Sequence, residues 1–199
     1  MSVTRILAEY IRTSNADTLP MDSLEMAVNC ILDALTAAIA GHEETSVVAT
    51  RAATSSIYGV GQVPVWFTGT SSTAAGAILS NSSAASVLDL DDGHAEARGH
   101  PGAAVIPTVL AVAAETGVSA EELLAAIVLG YEVGVRIKSG RGDHGQKGAH
   151  GQSGVWIGFA VAAAAGKLRR LTPAALSHAI AIVGVFSPNL IATDYTAFS

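Results

Sequence analysis

Charge is scarce in this chain. Only 14% of its 199 residues are Asp, Glu, Lys or Arg, against roughly one-quarter in an average domain. Its helices must therefore be buried on more than one side, or its surface covered by another chain. Aromatic residues make up only 5%, which leaves Ala, Val, Leu and Ile to fill the interior. The single cysteine, Cys30, excludes a disulfide within the chain, and its core-type helical position suits an inert buried thiol. Basic runs are missing as well: a net charge of −6 with no Lys/Arg block argues against nucleic acid. No uninterrupted apolar run reaches the roughly eighteen residues a membrane span needs, so the mean hydropathy of +0.43 reflects tight Ala-rich packing and no membrane partner is expected. The opening Met-Ser-Val-Thr-Arg leads into an amphipathic helix and not a secretory leader. These absences predict a cytoplasmic, all-α protein: one Ala-rich multi-helix domain over 1–199, with at most one short edge strand.

What is present follows helical period. Val3, Ile6, Leu7, Tyr10 and Ile11 mark a first helix ending near Ser14. Asp22 with Glu25 resembles a capping box for the second, whose apolar stripe is Leu24, Val28, Ile31, Leu32, Leu35 and Ile39, stopped by Gly41. A weaker helix spans 46–57. Val63, Val65 and Phe67 alternate with Pro64 and Trp66, which suggests one extended edge segment. A helix over 72–88 precedes a polar joint, and Gly93 is a natural left-handed cap there. Pro101 opens the next helix, which runs to about Glu115. Ser119 and Glu122 form a capping box ahead of Leu123, Ile127, Tyr131 and Val135, and Gly130 and Gly134 let a neighbouring helix come close. Very apolar helices follow from about Ser153 and from Thr172-Pro173, the latter interrupted at Pro188. The apolar Tyr195 and Phe198 at the end suggest that another polypeptide continues the packing, or that the sequence is a piece.

Two polar stretches stand out. The first, from Asp89 to Pro101, gathers three aspartates, one glutamate, two histidines and an arginine into thirteen residues. As metal ligands, Asp89, Asp91, Asp92, His94, Glu96 and His100 could serve a hard or borderline cation, but their spacing fits no standard site. A solvated turn collects such residues too, and a carboxylate beside a histidine is equally a proton-transfer pair. The residue chemistry leaves these readings open. The second stretch, 140–154, is rich in glycine, and a helix N-terminus follows it, where unpaired N–H groups favour anions. It lacks the Gly-Lys-Ser/Thr of a phosphate loop and is equally readable as a flexible surface loop. Its His150 and the earlier His100 each stand at the mouth of a helix, where an imidazole can take a proton or hold a carboxylate.

On these stretches the chain resembles the MmgE/PrpD family, which includes 2-methylcitrate dehydratase, cis-aconitate decarboxylase and iminodisuccinate epimerase. The resemblance rests on Asn81, Leu88-Asp-Leu-Asp-Asp92, Arg98-Gly-His-Pro101, Val105-Ile-Pro107, Leu129-Gly-Tyr-Glu-Val133 and Gly148-Ala-His150. The Asp-to-His-Pro spacing looks closest to the epimerase type. It implies the helical part of a larger fold, without metal or organic cofactor, handling a small carboxylate-bearing substrate by proton transfer. It also implies Asp89, His100 and His150 as catalytic residues, with Asp92, His94, Arg98, Lys147, Gln152 and Ser153 as candidates for substrate binding. The pattern departs from the family at Ser86, Gly93 and Gly151, and the family's lysine motif and second domain would begin beyond Ser199.

Two functions of different class follow. One is a subunit of a split lyase or isomerase, completed by a second protein chain, a homodimer, or both. The other is a non-catalytic dimerisation or binding remnant, in which His100 and His150 would be silent. A metal-dependent hydrolase is a third reading, which would require metal to copurify.

Overall fold

Alanine and glycine let the helices of this chain approach closely, and that spacing sets the architecture. In the computed structural model residues 2–141 and 153–186 are described. They form α1 (Val3–Thr13), α2 (Met21–Gly41), α3 (Thr45–Tyr58), β1 (Val63–Val65), β2 (Thr70–Ser72), α4 (Ala74–Ser86), α5 (Gly102–Thr116), α6 (Ala120–Arg141), α7 (Ser153–Leu168) and α8 (Pro173–Phe186). The mostly helical expectation holds.

The main core lies where α5 meets α6, α7 and α2. Val105, Ile106, Val109 and Val112 pack there with Ala126, Ile127, Ala160, Ala164, Ala27 and Ala34. Gly134 shows why glycine is needed: a Cβ on it would stand 2.8 Å from Ala160 Cβ and 3.1 Å from the Trp156 ring. A smaller core joins Ala8 and Ile11 of α1 to Val133, Ala163, Leu176 and Ile180.

Helix ends follow local chemistry in several places. The Ser119 amide donates to Glu122 Oε2 at 3.1 Å and the Glu122 amide to Ser119 Oγ at 3.2 Å, the reciprocal capping box. The Ala175 amide donates to Thr172 Oγ1 at 3.2 Å at the start of α8. Helix α2 differs from expectation: its N-cap is Pro20, with no side-chain cap, and Asp22 sits in the first turn, where the helix dipole favours an acid.

Its apolar stripe also turns out differently. Ala27, Ala34, Ala37, Ala38 and Gly41 are the buried residues of α2, while Val28, Leu32 and Ile39 are exposed, Leu32 by 59%. Small side chains allow α2 to lie close on α4, α5 and α6, so part of the stripe faces outward, while Ile31 still packs against the main core and Leu24 and Leu35 are half-buried. By length and composition alone α2 could cross a membrane. In the fold it is a packed helix whose Asp33 carboxylate binds the loop after α4.

The extended segment is half of a ribbon rather than a single strand. Val63–Val65 pairs antiparallel with Thr70–Ser72, Pro64 opposite Ser71. Two strands alone are marginal in water; here Val63 and Val65 pack on Ala77 of α4 and Ala111 of α5. Buried Asn81 ties the ribbon down. Its Oδ1 accepts the Trp66 amide at 2.9 Å, and its Nδ2 donates to the Pro64 carbonyl at 3.1 Å.

Candidate active site

The joint between α4 and α5 begins earlier than expected. Helix α4 ends at Ser86, and the left-handed position is Asp89, with φ 56°, not Gly93. Aspartate tolerates that region better than most residues because its short side chain can hydrogen-bond locally. The backbone reversal leaves the Asp89 carboxylate 86% exposed.

Two residues on, the chain has turned inward. The Asp91 side chain is 1% exposed, and the His100 side chain, 37% exposed, lies between the two aspartates. His100 Nε2 is 3.4 Å from Asp89 Oδ1. His100 Nδ1 is 3.1 Å from the Asp91 carbonyl and 3.6 Å from Asp91 Oδ1. Asp91 Oδ2 is buried with no hydrogen-bond partner among the described residues. Burial pushes the Asp91 carboxyl above the usual carboxylate range, opposed by His100. An imidazole held between two carboxylates can accept a proton and be stabilised once charged.

Asp92 does different work. Its Oδ1 accepts the Gly102 amide at the start of α5, and its Oδ2 accepts the Tyr131 hydroxyl, both at 2.8 Å. Its own amide donates to Asp33 Oδ2 at 2.7 Å. The two carboxylate oxygens thus join α5 and α6 to the loop, and the backbone amide joins it to α2. Gly102 has to be glycine: a Cβ there would lie 2.2 Å from Asp92 Oδ1. Burial pushes the Asp92 carboxyl up, with the Tyr131 and Gly102 hydrogen bonds opposing. Burial, reinforced by the Asp92 charge, drives the Tyr131 hydroxyl far above its ordinary value, so it stays a neutral donor. Cys30 is half-buried beside this pair, and burial raises its thiol, which keeps the reactive thiolate scarce.

His94 and Arg98 close a tight turn. The His94 amide donates to the Gly99 carbonyl at 2.9 Å, the Arg98 amide to the His94 carbonyl at 2.7 Å, and the Ala97 amide to His94 Nδ1 at 3.1 Å. Arg98 is exposed and has φ 51°. His94 also faces an open cleft of about 340 Å³ shared with Met26, Cys30, Tyr131 and Glu132.

Asp89 and His100 therefore come together as the sequence suggests, with Asp92, His94 and Arg98 on the same loop. His150, Lys147 and Gln152 lie outside the described residues. Ser153 begins α7, its side chain not described. Asp91, which the sequence offers only as a possible metal ligand, and Asp33 and Tyr131, to which it gives no site role, are structurally central. Extended spacing would put Asp91 on the same side as Asp89; the left-handed turn at Asp89 separates them.

Asp89, Asp91 and His100 could each offer one ligand atom, all within 4.8 Å of one another. Metal bonds from such groups are only about 2.0–2.2 Å long. The two carboxylates face different ring nitrogens, so a single ion could bind all three only after rearrangement. The present geometry suits a hydrogen-bonded imidazole better.

Comparison with known proteins assigns the family. The MmgE/PrpD N-terminal domain matches residues 5–199. The chain belongs to the MmgE/PrpD family. It is 31% identical over 202 residues to cis-aconitate decarboxylase from Aspergillus terreus, covering 97% of this chain and 41% of the relative. The same figures hold for the cis-aconitate decarboxylase of Aspergillus terreus strain NIH 2624 / FGSC A1156. The chain thus spans about two-fifths of the length of these curated relatives. Among the MmgE/PrpD residues singled out in the sequence, Asn81 and Asp92 hold the scaffold, and Asp89 and His100 face each other at its surface.

Proposed function

We propose that this chain is the helical part of a cofactor-independent lyase or isomerase that moves a proton next to a carboxylate or carbonyl. The observation that carries the reading is His100, with one ring nitrogen facing a buried aspartate and the other an exposed one. Nε2 takes a proton from the carbon next to the substrate carboxylate, and the resulting imidazolium sits between two acids. Delivery of a proton to the opposite face by a second acid gives an epimerase. Loss of a leaving group gives a lyase. The similarity to cis-aconitate decarboxylase supports a di- or tricarboxylic acid as the substrate class.

His150 is the second proton-transfer or carboxylate-binding group in this proposal. His94, Arg98, Lys147, Gln152 and Ser153 supply positive charge and donors for the substrate's carboxylates. Asp92, with both oxygens occupied, shapes the loop instead of touching substrate. In this proposal a second protein chain, a homodimer, or both complete the site. The exposed apolar side of α2 supports such an interface, since a large uncovered apolar patch marks an interaction surface.

The test is to purify the chain together with the products of its neighbouring genes and incubate the mixture with a panel of di- and tricarboxylic acids. Proton NMR would show depletion of at least one acid. If none is consumed, the proposal fails and the non-catalytic reading takes its place.

A further inference from the structure

We infer that Asp91 is a positioning residue: it fixes one proton of His100 on Nδ1, so that Nε2 is the nitrogen that exchanges protons with substrate. This rests on the proton-transfer reading of His100.

The argument starts from what each neighbour can do. The Asp91 carbonyl is 3.1 Å from His100 Nδ1, and a backbone carbonyl can only accept. Nδ1 must therefore carry hydrogen when this bond is made. Asp91 Oδ1, 3.6 Å from the same nitrogen, places a second acceptor on that side. The Asp91 side chain is 1% exposed and belongs to a turn fixed at the next residue by Asp33, Gly102 and Tyr131. The acceptor pair cannot swing away without breaking that joint. This is the general way in which a partner on one imidazole nitrogen determines the role of the other.

The opposite nitrogen has the opposite environment. Nε2 faces Asp89 Oδ1 at 3.4 Å, on a carboxylate that is 86% exposed. The Nδ1 proton is held on the Asp91 side, which leaves Nε2, on the Asp89 side, as the nitrogen that takes up and releases a proton. In a proton abstraction Nε2 supplies the lone pair, the substrate C–H bond breaks toward it, and Nδ1–H stays in place. Asp91 then neutralises the imidazolium from behind without touching substrate.

The test is long-range proton–nitrogen NMR on the full chain labelled with ¹⁵N-histidine, recorded where the imidazoles are neutral. His100 is assigned by its loss in His100→Gln. The expected spectrum shows a pyrrole-type Nδ1 and a pyridine-type Nε2. Asp91→Ala keeps the backbone carbonyl and removes only the carboxylate acceptor, so the Nδ1 preference should weaken toward intermediate shifts, and Asp91→Asn, which keeps an acceptor oxygen, should restore it. A pyridine-type Nδ1 in the unaltered chain, or an Nδ1 preference in Asp91→Ala no weaker than in the unaltered chain, would overturn the inference. The spectrum is taken without substrate, so a chain that turns over no acid leaves this result standing. A reversed tautomer would overturn the assignment of Nε2 while leaving proton transfer by His100 open to test.

Discussion

Asp91 and Asp92 are neighbours with separate tasks, and burial raises the carboxyl of both. A carboxyl raised on folding binds its proton more tightly in the folded state. Its contribution to stability is present below the ordinary value of 3.8 and is lost as pH rises through the folded value. Asp91→Asn removes one such group. Urea unfolding between about pH 4 and about pH 7 should show a smaller loss of stability with rising pH in Asp91→Asn than in the unaltered chain. Equal slopes would mean that Asp91 is not held as described. At this scale the sequence showed that Asp89 and His100 belong together, through family resemblance. It could not show that Asp91 lies behind the ring, because that depends on a left-handed turn at Asp89, where glycine at 93 was the expected site.

At the scale of elements, the joint depends on where α5 begins. Gly102 lets its amide reach Asp92, and a methyl group there would stand 2.2 Å from the carboxylate. Gly102→Ala should cost about 1–3 kcal/mol by overpacking, measured by urea denaturation. Gly93→Ala is the contrast: among the described residues its Cβ would meet only His100 Cε1, at 3.9 Å, and the change should fall within about 0.5 kcal/mol. Similar costs at both glycines would refute the Asp92 latch. Helix starts marked by short-range chemistry, such as Ser119 with Glu122, were legible because the capping partners are three residues apart. The second strand and the outward side of α2 were not. Pairing of Val63 with Ser72 is decided by packing on α4 and α5, and the choice between alanine and leucine faces by how near the neighbouring helices come.

At the scale of the molecule, low charge and an apolar exterior point the same way. Met21, Val28, Leu32 and Ile39 recur along α2 at helical spacing and are all exposed. Leu32→Glu touches none of the joint and should leave the helical content unchanged. It should lower the mass of the complex seen by light scattering when the partner chain is present. An unchanged mass would remove α2 from the interface.

The most direct measurement is deuterium incorporation into a di- or tricarboxylic acid, followed by NMR in D₂O with the complete complex. Incorporation or turnover should occur with the unaltered chain and fall by about 10²–10⁴-fold in His100→Ala, the usual contribution of a general acid–base group. Undiminished exchange in His100→Ala, with the acid still bound, would contradict the account.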